Sequence, residues 1–295
     1  MASATALSST PSRRAITPPP LRFIPASIEA VRRVGRRFFM NAASAQINEE
    51  CFERAYQAMK GNDWEVVIRE QRILARMVNA VGQTLIMKAI ASDEYDLIKK
   101  IRDKNLFFEI VDQEENNPIH YLSRILSIDF ERYYQILHLG TAGIEARNRL
   151  GQTALHIAAT SGHKDAVNCL LRRGASIHKA APYSELSERT YLVPLGFAVA
   201  FGHQACVESL LAHPGYDSDY RVQSDVCPTY LHIAVHYNRL EILIYLLSNY
   251  SEKMKSSLFR ENENHMTPAS YAAYLGNAEA LRILKKHEDD ITCGE

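Results

Sequence analysis

The sequence contains little of what disulfide-rich domains, membrane spans and secreted precursors need. Its five cysteines are odd in number, scattered, and never arranged as C-x-x-C. Cysteines of this kind are typical of free thiols in a reducing compartment. No stretch approaches the roughly 18–20 continuous apolar residues that a membrane span requires. The first residues have no signal-peptide pattern either, because Arg13, Arg14 and Pro18–Pro20 interrupt any apolar run.

Sequence motifs for catalysis are also missing. The chain has no phosphate-binding loop, no dinucleotide-binding glycine motif, no nucleophile elbow and no H-E-x-x-H motif. His232 and His236 stand four residues apart, which is the spacing of two metal ligands on a helix, but no third or fourth ligand accompanies them. We therefore predict no catalytic, cofactor-binding or metal-binding residue, and no enzyme. The alternative is an enzyme within the irregular first 80 residues, a region too short for most catalytic folds.

The charge is unevenly distributed although the formal net charge is zero. Residues 1–40 contain seven arginines and a single acidic residue, Glu29, which leaves 27 basic and 33 acidic residues in the rest of the chain. A mildly acidic body lacks the cationic face that general nucleic-acid binders need. We expect no nucleic-acid partner for this part of the protein.

Residues 1–45 are predicted to form a disordered basic tail, because they are rich in Ser, Thr, Ala and Pro and have little to bury. An amphipathic helix could form at 27–40, where apolar residues share one face. Its other face carries Arg32, Arg33, Arg36 and Arg37. Three roles stay open for the tail: a solvated extension, a nuclear or mitochondrial address in an otherwise cytoplasmic protein, or a helix that contacts a membrane or an import receptor.

From about residue 46 the sequence repeats itself. The clearest copy spans Gly151–Ala175 and begins with G-Q-T-A-L-H-I-A-A, followed by Gly162-His163. With five weaker copies in the same register, the openings lie near residues 84, 117, 153, 193, 229 and 267, at spacings of 33, 36, 40, 36 and 38 residues. A helix-turn-helix unit at 48–80 precedes them. Regular spacing over so many copies indicates one repeated structural unit.

This pattern resembles the ankyrin repeat, whose signature is T-P-L-H-x-A with a period of about 33 residues. The resemblance implies an all-α solenoid of stacked helix-turn-helix units over residues 46–290, with residues 48–80 as the N-terminal cap. It also implies a hydrogen bond between Thr153 and His156 that fixes the start of a helix. The extra sequence at 180–192 is predicted to lengthen a finger, the loop that joins one unit to the next.

The resemblance implies a scaffold or adaptor that binds a partner protein through its fingers and first helices. Tyrosine and arginine are common binding anchors, which guides the choice of contacts. The predicted partner-binding residues are Arg147, Asn148, Arg149, Tyr183, Tyr191, Tyr220, Arg221, Asn262 and Asn264. The alternative is an effector that an intracellular bacterium secretes into a host cell, where it binds a host protein. The fold does not specify the partner.

Overall fold

The computed structural model describes residues 42–69, 78–80, 82–103, 111–126, 129–137, 141–186, 190–216, 228–249 and 256–292. The chain divides into two units, Met1–Gln46 and Ile47–Glu295, and nearly all described residues belong to the second. The proposed helix at 27–40, with its four arginines, lies outside the described residues. The tail prediction needs one correction, because a helix already begins at Ala42. Alanine, frequent at 42–45, is the best helix-forming residue.

The secondary structure of the described residues is mostly helical. Its helices are α1 (Ala42–Lys60), α2 (Trp64–Arg69), α3 (Leu85–Ala91), α4 (Tyr95–Asp103), α5 (Pro118–Arg124), α6 (Phe130–Leu137), α7 (Thr141–Ile144), α8 (Ala154–Ser161), α9 (Lys164–Arg172), α10 (Pro194–Phe201), α11 (Gln204–Leu211), α12 (Tyr230–His236), α13 (Leu240–Asn249), α14 (Pro268–Tyr274) and α15 (Ala278–Thr292). Two short strands, β1 (Ala181–Pro182) and β2 (Tyr191–Leu192), pair antiparallel. None of the described helices is both long and apolar enough to cross a bilayer.

The first helix of each unit starts directly after one of the six predicted openings. The residues that precede these helices are Thr84, Asn117, Thr153, Val193, Thr229 and Thr267. The side chains of Thr84, Asn117, Thr229 and Thr267 accept hydrogen bonds from backbone N–H groups of the first turn, which would otherwise lack partners. Val193 has no such acceptor, and Pro194 follows it at a position where a missing N–H removes no helical bond.

The units stack in sequence order, as a repeat architecture requires. First helices α3, α5, α8, α10, α12 and α14 pack on one another, and each also packs on its own second helix. The core lies between these two layers. Leucine pairs on the second helices, such as Leu170 with Leu171 and Leu246 with Leu247, are almost fully buried. Burying one such side chain contributes about 1.5–3 kcal/mol, so stability accumulates from unit to unit.

Buried histidines join neighbouring units. In His232, Nδ1 accepts a hydrogen bond from the backbone N–H of Thr229 at 3.3 Å, and Nε2 donates to the carbonyl oxygen of Met266 at 2.8 Å. His120 makes the same pair of bonds and reaches the carbonyl oxygen of Gln152 at 3.1 Å. Each ring thus fixes the start of its own helix and holds the residue just before the cap of the next unit's first helix. These bonds require neutral imidazole, since Nδ1 acts as an acceptor.

His156 occupies the same position in the clearest repeat but lacks the second bond. Its Nδ1 lies 2.8 Å from Oγ1 of Thr153 and accepts the backbone N–H of that residue at 3.1 Å. The Nε2 atom is buried and has no hydrogen-bond partner of normal geometry. The backbone of Lys179 and Leu192, at the two ends of the inserted finger, lies close to the ring. The insertion therefore changes the link between these two units.

The lengthened finger predicted at 180–192 contains a short β-hairpin. Ala181 pairs with Leu192 and Pro182 with Tyr191, and the N–H of Tyr183 extends the pairing to the carbonyl of Thr190 at 2.8 Å. Residues 187–189, between the strands, lie outside the described part. The hairpin projects one of the predicted contact residues, Tyr191, from the finger.

Candidate functional site

Two predicted contact residues, Asn148 and Asn262, shape the fingers from within. Each stands five residues before a first helix's cap and is almost buried, with 7% and 9% of its surface exposed. Asn148 Oδ1 accepts the N–H groups of Leu150 and Gln152 at 3.1 and 2.9 Å. Asn262 accepts the N–H groups two and four residues further on, at 2.9 and 3.1 Å. Both side chains are therefore used inside their turns, and their contact with a partner stays a prediction.

Tyr183 was also predicted as a contact residue, yet only 7% of its surface is exposed. Its ring packs edge-on against Phe197, with ring centroids 5.2 Å apart. Its hydroxyl lies 2.9 Å from that of Tyr237 and 3.0 Å from the carboxylate of Glu185. Tyr183 therefore anchors the hairpin to the first helices α10 and α12, and its contact with a partner stays a prediction.

Arg147 is exposed but spans the base of a finger. Its Nη1 donates to the carbonyl oxygens of Gly151 and Ala180 at 2.5 and 2.8 Å. A guanidinium that bridges two backbone carbonyls of successive fingers holds their spacing. Arg147 therefore positions the fingers.

Three predicted residues do present exposed side chains on different fingers. They are Arg149, Tyr191 and Asn264. Tyr191 is 45% exposed, and the Nε of Arg149 lies 4.0 Å from the carboxylate of Glu115, too far for a strong ion pair. The other two predicted residues, Tyr220 and Arg221, lie outside the described part of the chain.

The sequence reasoning missed a row of aromatic side chains on the first helices of the last two units. We define the aromatic row as His236, Tyr237, Tyr271 and Tyr274. The rings of His236 and Tyr271 are parallel within 6°, with centroids 6.1 Å apart, and those of Tyr271 and Tyr274 within 13°, at 6.4 Å. Tyr237 stands nearly perpendicular to His236 at 4.8 Å. Tyr274 is 74% exposed, and its neighbour Leu275 is 42% exposed.

A signal for this row was present in the sequence. His236 and Tyr237 stand seven and eight residues after their helix cap, and Tyr274 and Leu275 occupy the same places in the next unit. Stacked repeats bring equivalent positions into contact. Aligning the units and looking for large side chains at equivalent positions would have found His236, Tyr237 and Tyr274, but not Tyr271, which stands four residues after its cap.

The aromatic row is uncharged at neutral pH and adjoins one carboxylate. Burial lowers the pKa of His236, and the nearby Glu185 only partly offsets this. The Nδ1 of His236 lies 2.6 Å from the hydroxyl of Tyr271. Burial also raises the pKa of Tyr237, whose hydroxyl donates to Glu185 at 3.1 Å. The charge that lies next to the rings of His236 and Tyr237 is therefore the negative charge of Glu185.

The first helix at the other end of the stack is different. Lys88 on α3 forms an ion pair with Glu53, and its Nζ lies 4.5 Å from the ring centroid of Tyr56. The large aromatic side chains of α1 in this region, including Phe52, are buried. At this end of the stack the charged and aromatic side chains of α1 and α3 contact one another. The aromatic row is therefore more exposed than the surface formed by α1 and α3.

The buried cysteines and histidines lie in surroundings that favour a structural role over a chemical one. Burial raises the pKa of the Cys169 thiol to about 12 and that of Cys206 to about 11, which keeps both thiols protonated and unreactive at pH 7. His232 and His236 bond to different partners, Met266 and Tyr271. Among the described residues, no group of three or more His, Cys, Asp or Glu side chains is placed to hold a metal ion.

Comparisons with known proteins point to one family. The family model described as ankyrin repeats in three copies matches residues 86–181, 126–223 and 195–294. A putative ankyrin repeat protein of fowlpox virus (strain NVSL) is 26% identical over 86 residues, which cover 29% of this chain and only 12% of the viral protein. The crystal structure of the ankyrin repeat domain of Bcl-3, a member of the IκB family, superposes with a TM-score of 0.56. The match has 21% identity and covers 78% of this chain and 97% of that domain.

Proposed function

The chain belongs to the ankyrin-repeat family, and we propose that it is a scaffold or adaptor that binds a partner protein. Ankyrin repeats are protein–protein interaction modules, generally without enzymatic activity, and the all-α repeat fold expected from the sequence is confirmed. We propose binding rather than catalysis for this chain as well. The protected thiols and the neutral, hydrogen-bonded histidines support that choice.

One observation carries the proposal: the rings of the aromatic row adjoin one another across two units, and the row ends in an exposed tyrosine. Tyr274 exposes 74% of its surface beside the exposed Leu275. Large aromatic side chains that are held rigidly lose little entropy on binding, and tyrosine is among the residues most often found as binding anchors. We propose the aromatic row as the centre of the interface. Arg149, Tyr191 and Asn264 would contribute from the fingers at its rim.

Affinity purification with the full chain as bait tests this proposal. We expect Tyr274→Ala to lose a specific partner, because truncating a central aromatic anchor costs about 2 kcal/mol or more of binding. The matched control is Ile244→Ala, which removes a side chain that is 47% exposed on second helix α13. If wild type and both variants recover the same partners in the same amounts, the aromatic row is not the interface.

We further propose that the repeat domain acts in the cytoplasm and that the basic tail supplies an address. The tail's composition supports this, since it is rich in arginine and almost free of acidic residues. Fluorescence microscopy of the full chain, with Arg32, Arg33, Arg36 and Arg37 changed together to Gln, would show a redistribution. An unchanged location would exclude an address at these four positions.

A further inference from the structure

We propose that the aromatic row and the carboxylate of Glu185 together bind an arginine-bearing segment of the partner protein. This inference rests on the proposed function, because it names the chemistry of the partner that the same surface takes. It commits to one occupant, an exposed peptide segment in which an arginine is flanked by apolar residues.

The first argument is the position of the Glu185 carboxylate. Its Oε2 accepts hydrogen bonds from the hydroxyls of Tyr183 and Tyr237, at 3.0 and 3.1 Å. These two bonds hold the carboxylate at the edge of the aromatic row. Its other oxygen has no hydrogen-bond partner among the described residues, and the side chain is exposed. A fixed carboxylate with a free oxygen suits a guanidinium group, which donates several N–H bonds in one plane.

The second argument is the arrangement of the rings. His236, Tyr271 and Tyr274 are parallel within 6–13° at centroid separations of 6.1 and 6.4 Å. Parallel rings in direct face-to-face contact would lie about 3.5–4 Å apart, so these rings are stepped and each leaves part of its face uncovered. A guanidinium is planar and stacks on such faces, where the π electrons attract its charge.

The third argument is charge. In the part of the chain that the structure describes, Glu185 makes no ion pair with a lysine or arginine. Burial keeps His236 neutral, so the aromatic row offers no positive charge that would repel a cation. After residue 40 the chain carries 33 acidic and 27 basic residues. Both the local charge and the acidic excess after residue 40 favour a basic partner.

The fourth argument is the apolar margin. Leu275 follows Tyr274 directly and is 42% exposed, so the segment's apolar residues can pack at this end of the aromatic row. Arginine fits better than lysine, because an ammonium group cannot stack flat on a ring or donate two parallel bonds to a carboxylate. The surface should therefore discriminate between the two cations.

Selection from a display library of short random peptides, with the full chain as target, tests the inference. We expect the selected peptides to be enriched in arginine beside leucine or aromatic residues. In fluorescence anisotropy with the synthesised peptides, replacing that arginine by uncharged citrulline should weaken binding about tenfold, and lysine should weaken it by a smaller factor. Raising the salt concentration should weaken the arginine peptide more than the citrulline peptide.

Matched variants separate charge from shape. Glu185→Gln keeps an oxygen for the two tyrosine hydroxyls and removes the charge, so we expect about fivefold weaker binding of the arginine peptides. Tyr274→Ala should weaken it about tenfold. Glu241→Gln makes the same charge change at an exposed site on second helix α13 and should leave the affinity unchanged. Thermal unfolding of each variant checks that the fold is intact.

The possible results distinguish this inference from the proposed function. The arginine inference is refuted if Glu185→Gln and Glu241→Gln bind the arginine peptides equally well. It is also refuted if the selected peptides lack arginine but bind Tyr274→Ala more weakly than wild type. In both cases a binding role of the aromatic row stands. If the library yields no binder, or Tyr274→Ala binds every peptide like wild type, both are refuted for this surface.

Discussion

Acid should destabilise this protein well before its carboxylates titrate, because its buried histidines must stay neutral. Desolvation lowers the pKa of His156 from 6.5 to about 3 and that of His232 to about 4. In both residues Nδ1 accepts a backbone N–H at the start of a helix. Protonation would abolish that bond and place a charge in the core, so the folded state resists it.

The sign and size of the stability change in acid follow from the linkage between protonation and folding. Between the folded pKa and 6.5, the unfolded chain binds more protons than the folded chain, so stability rises with pH and is complete above about pH 6.5. The pH of 5 lies about 1.5 units below the unfolded pKa of each histidine, and each unit corresponds to about 1.36 kcal/mol of unfolding free energy. His156 and His232 should therefore each remove about 2 kcal/mol of unfolding free energy on going from pH 7.5 to pH 5.

Urea unfolding followed by circular dichroism at the two pH values measures the effect. The matched variant is His232→Gln, which cannot titrate. Whatever its stability at pH 7.5, its loss on acidification should be about 2 kcal/mol smaller than that of wild type. Tyrosine fluorescence should give the same transition, so that one free energy describes the unfolding. An equal acid loss in wild type and variant would refute the reasoning, since it would place the relevant protons elsewhere.

Two further predictions concern a turn and a thiol. Gly162 and Gly174 both have positive φ, +74° and +86°, but a Cβ on Gly162 would lie 2.5 Å from Nδ1 of His203, whereas one on Gly174 would meet nothing within 4 Å. In chemical denaturation we expect Gly174→Ala to lower the free energy of unfolding by about 1 kcal/mol and Gly162→Ala to lower it by clearly more. Equal losses in the two variants would contradict this, because they would mean that the His203 ring moves away freely. Iodoacetamide at pH 8 should modify the exposed Cys51 and spare Cys169 in the folded protein, because burial raises the pKa of Cys169 to about 12. Peptide mass spectrometry measures the labelling before and after unfolding in urea. Equal labelling of the two cysteines in the folded protein would contradict the prediction.

Much of the fold was open to prediction because its signals lie within a few residues of one another. A cap such as Thr229 and its histidine three residues later specify where a helix starts, and the six openings read from the sequence are followed by six first helices. The N-terminal boundary was harder to place, because residues 42–45 combine a tail-like composition with high helix propensity.

The candidate site was less predictable. The resemblance to ankyrin repeats predicts that Asn148 and Tyr183 lie on the binding surface of the fingers, and tyrosine is a common binding anchor. The structure buries both, because the neighbours that cover them come from distant parts of the chain: Asn148 bonds to Asn116, 32 residues away, and Tyr183 to Tyr237, 54 residues away. Composition and turn chemistry carry no information about such partners.

What the sequence by itself determined is therefore the unit: its two helices, its caps, its spacing and its family. Tertiary stacking alone decided which side chains remain open. Once the units stack, Tyr271 of one first helix meets His236 of the previous one, and the inserted hairpin brings Glu185 to the hydroxyl of Tyr237. The surface arises from the register between units, and that register depends on packing across the whole repeat stack.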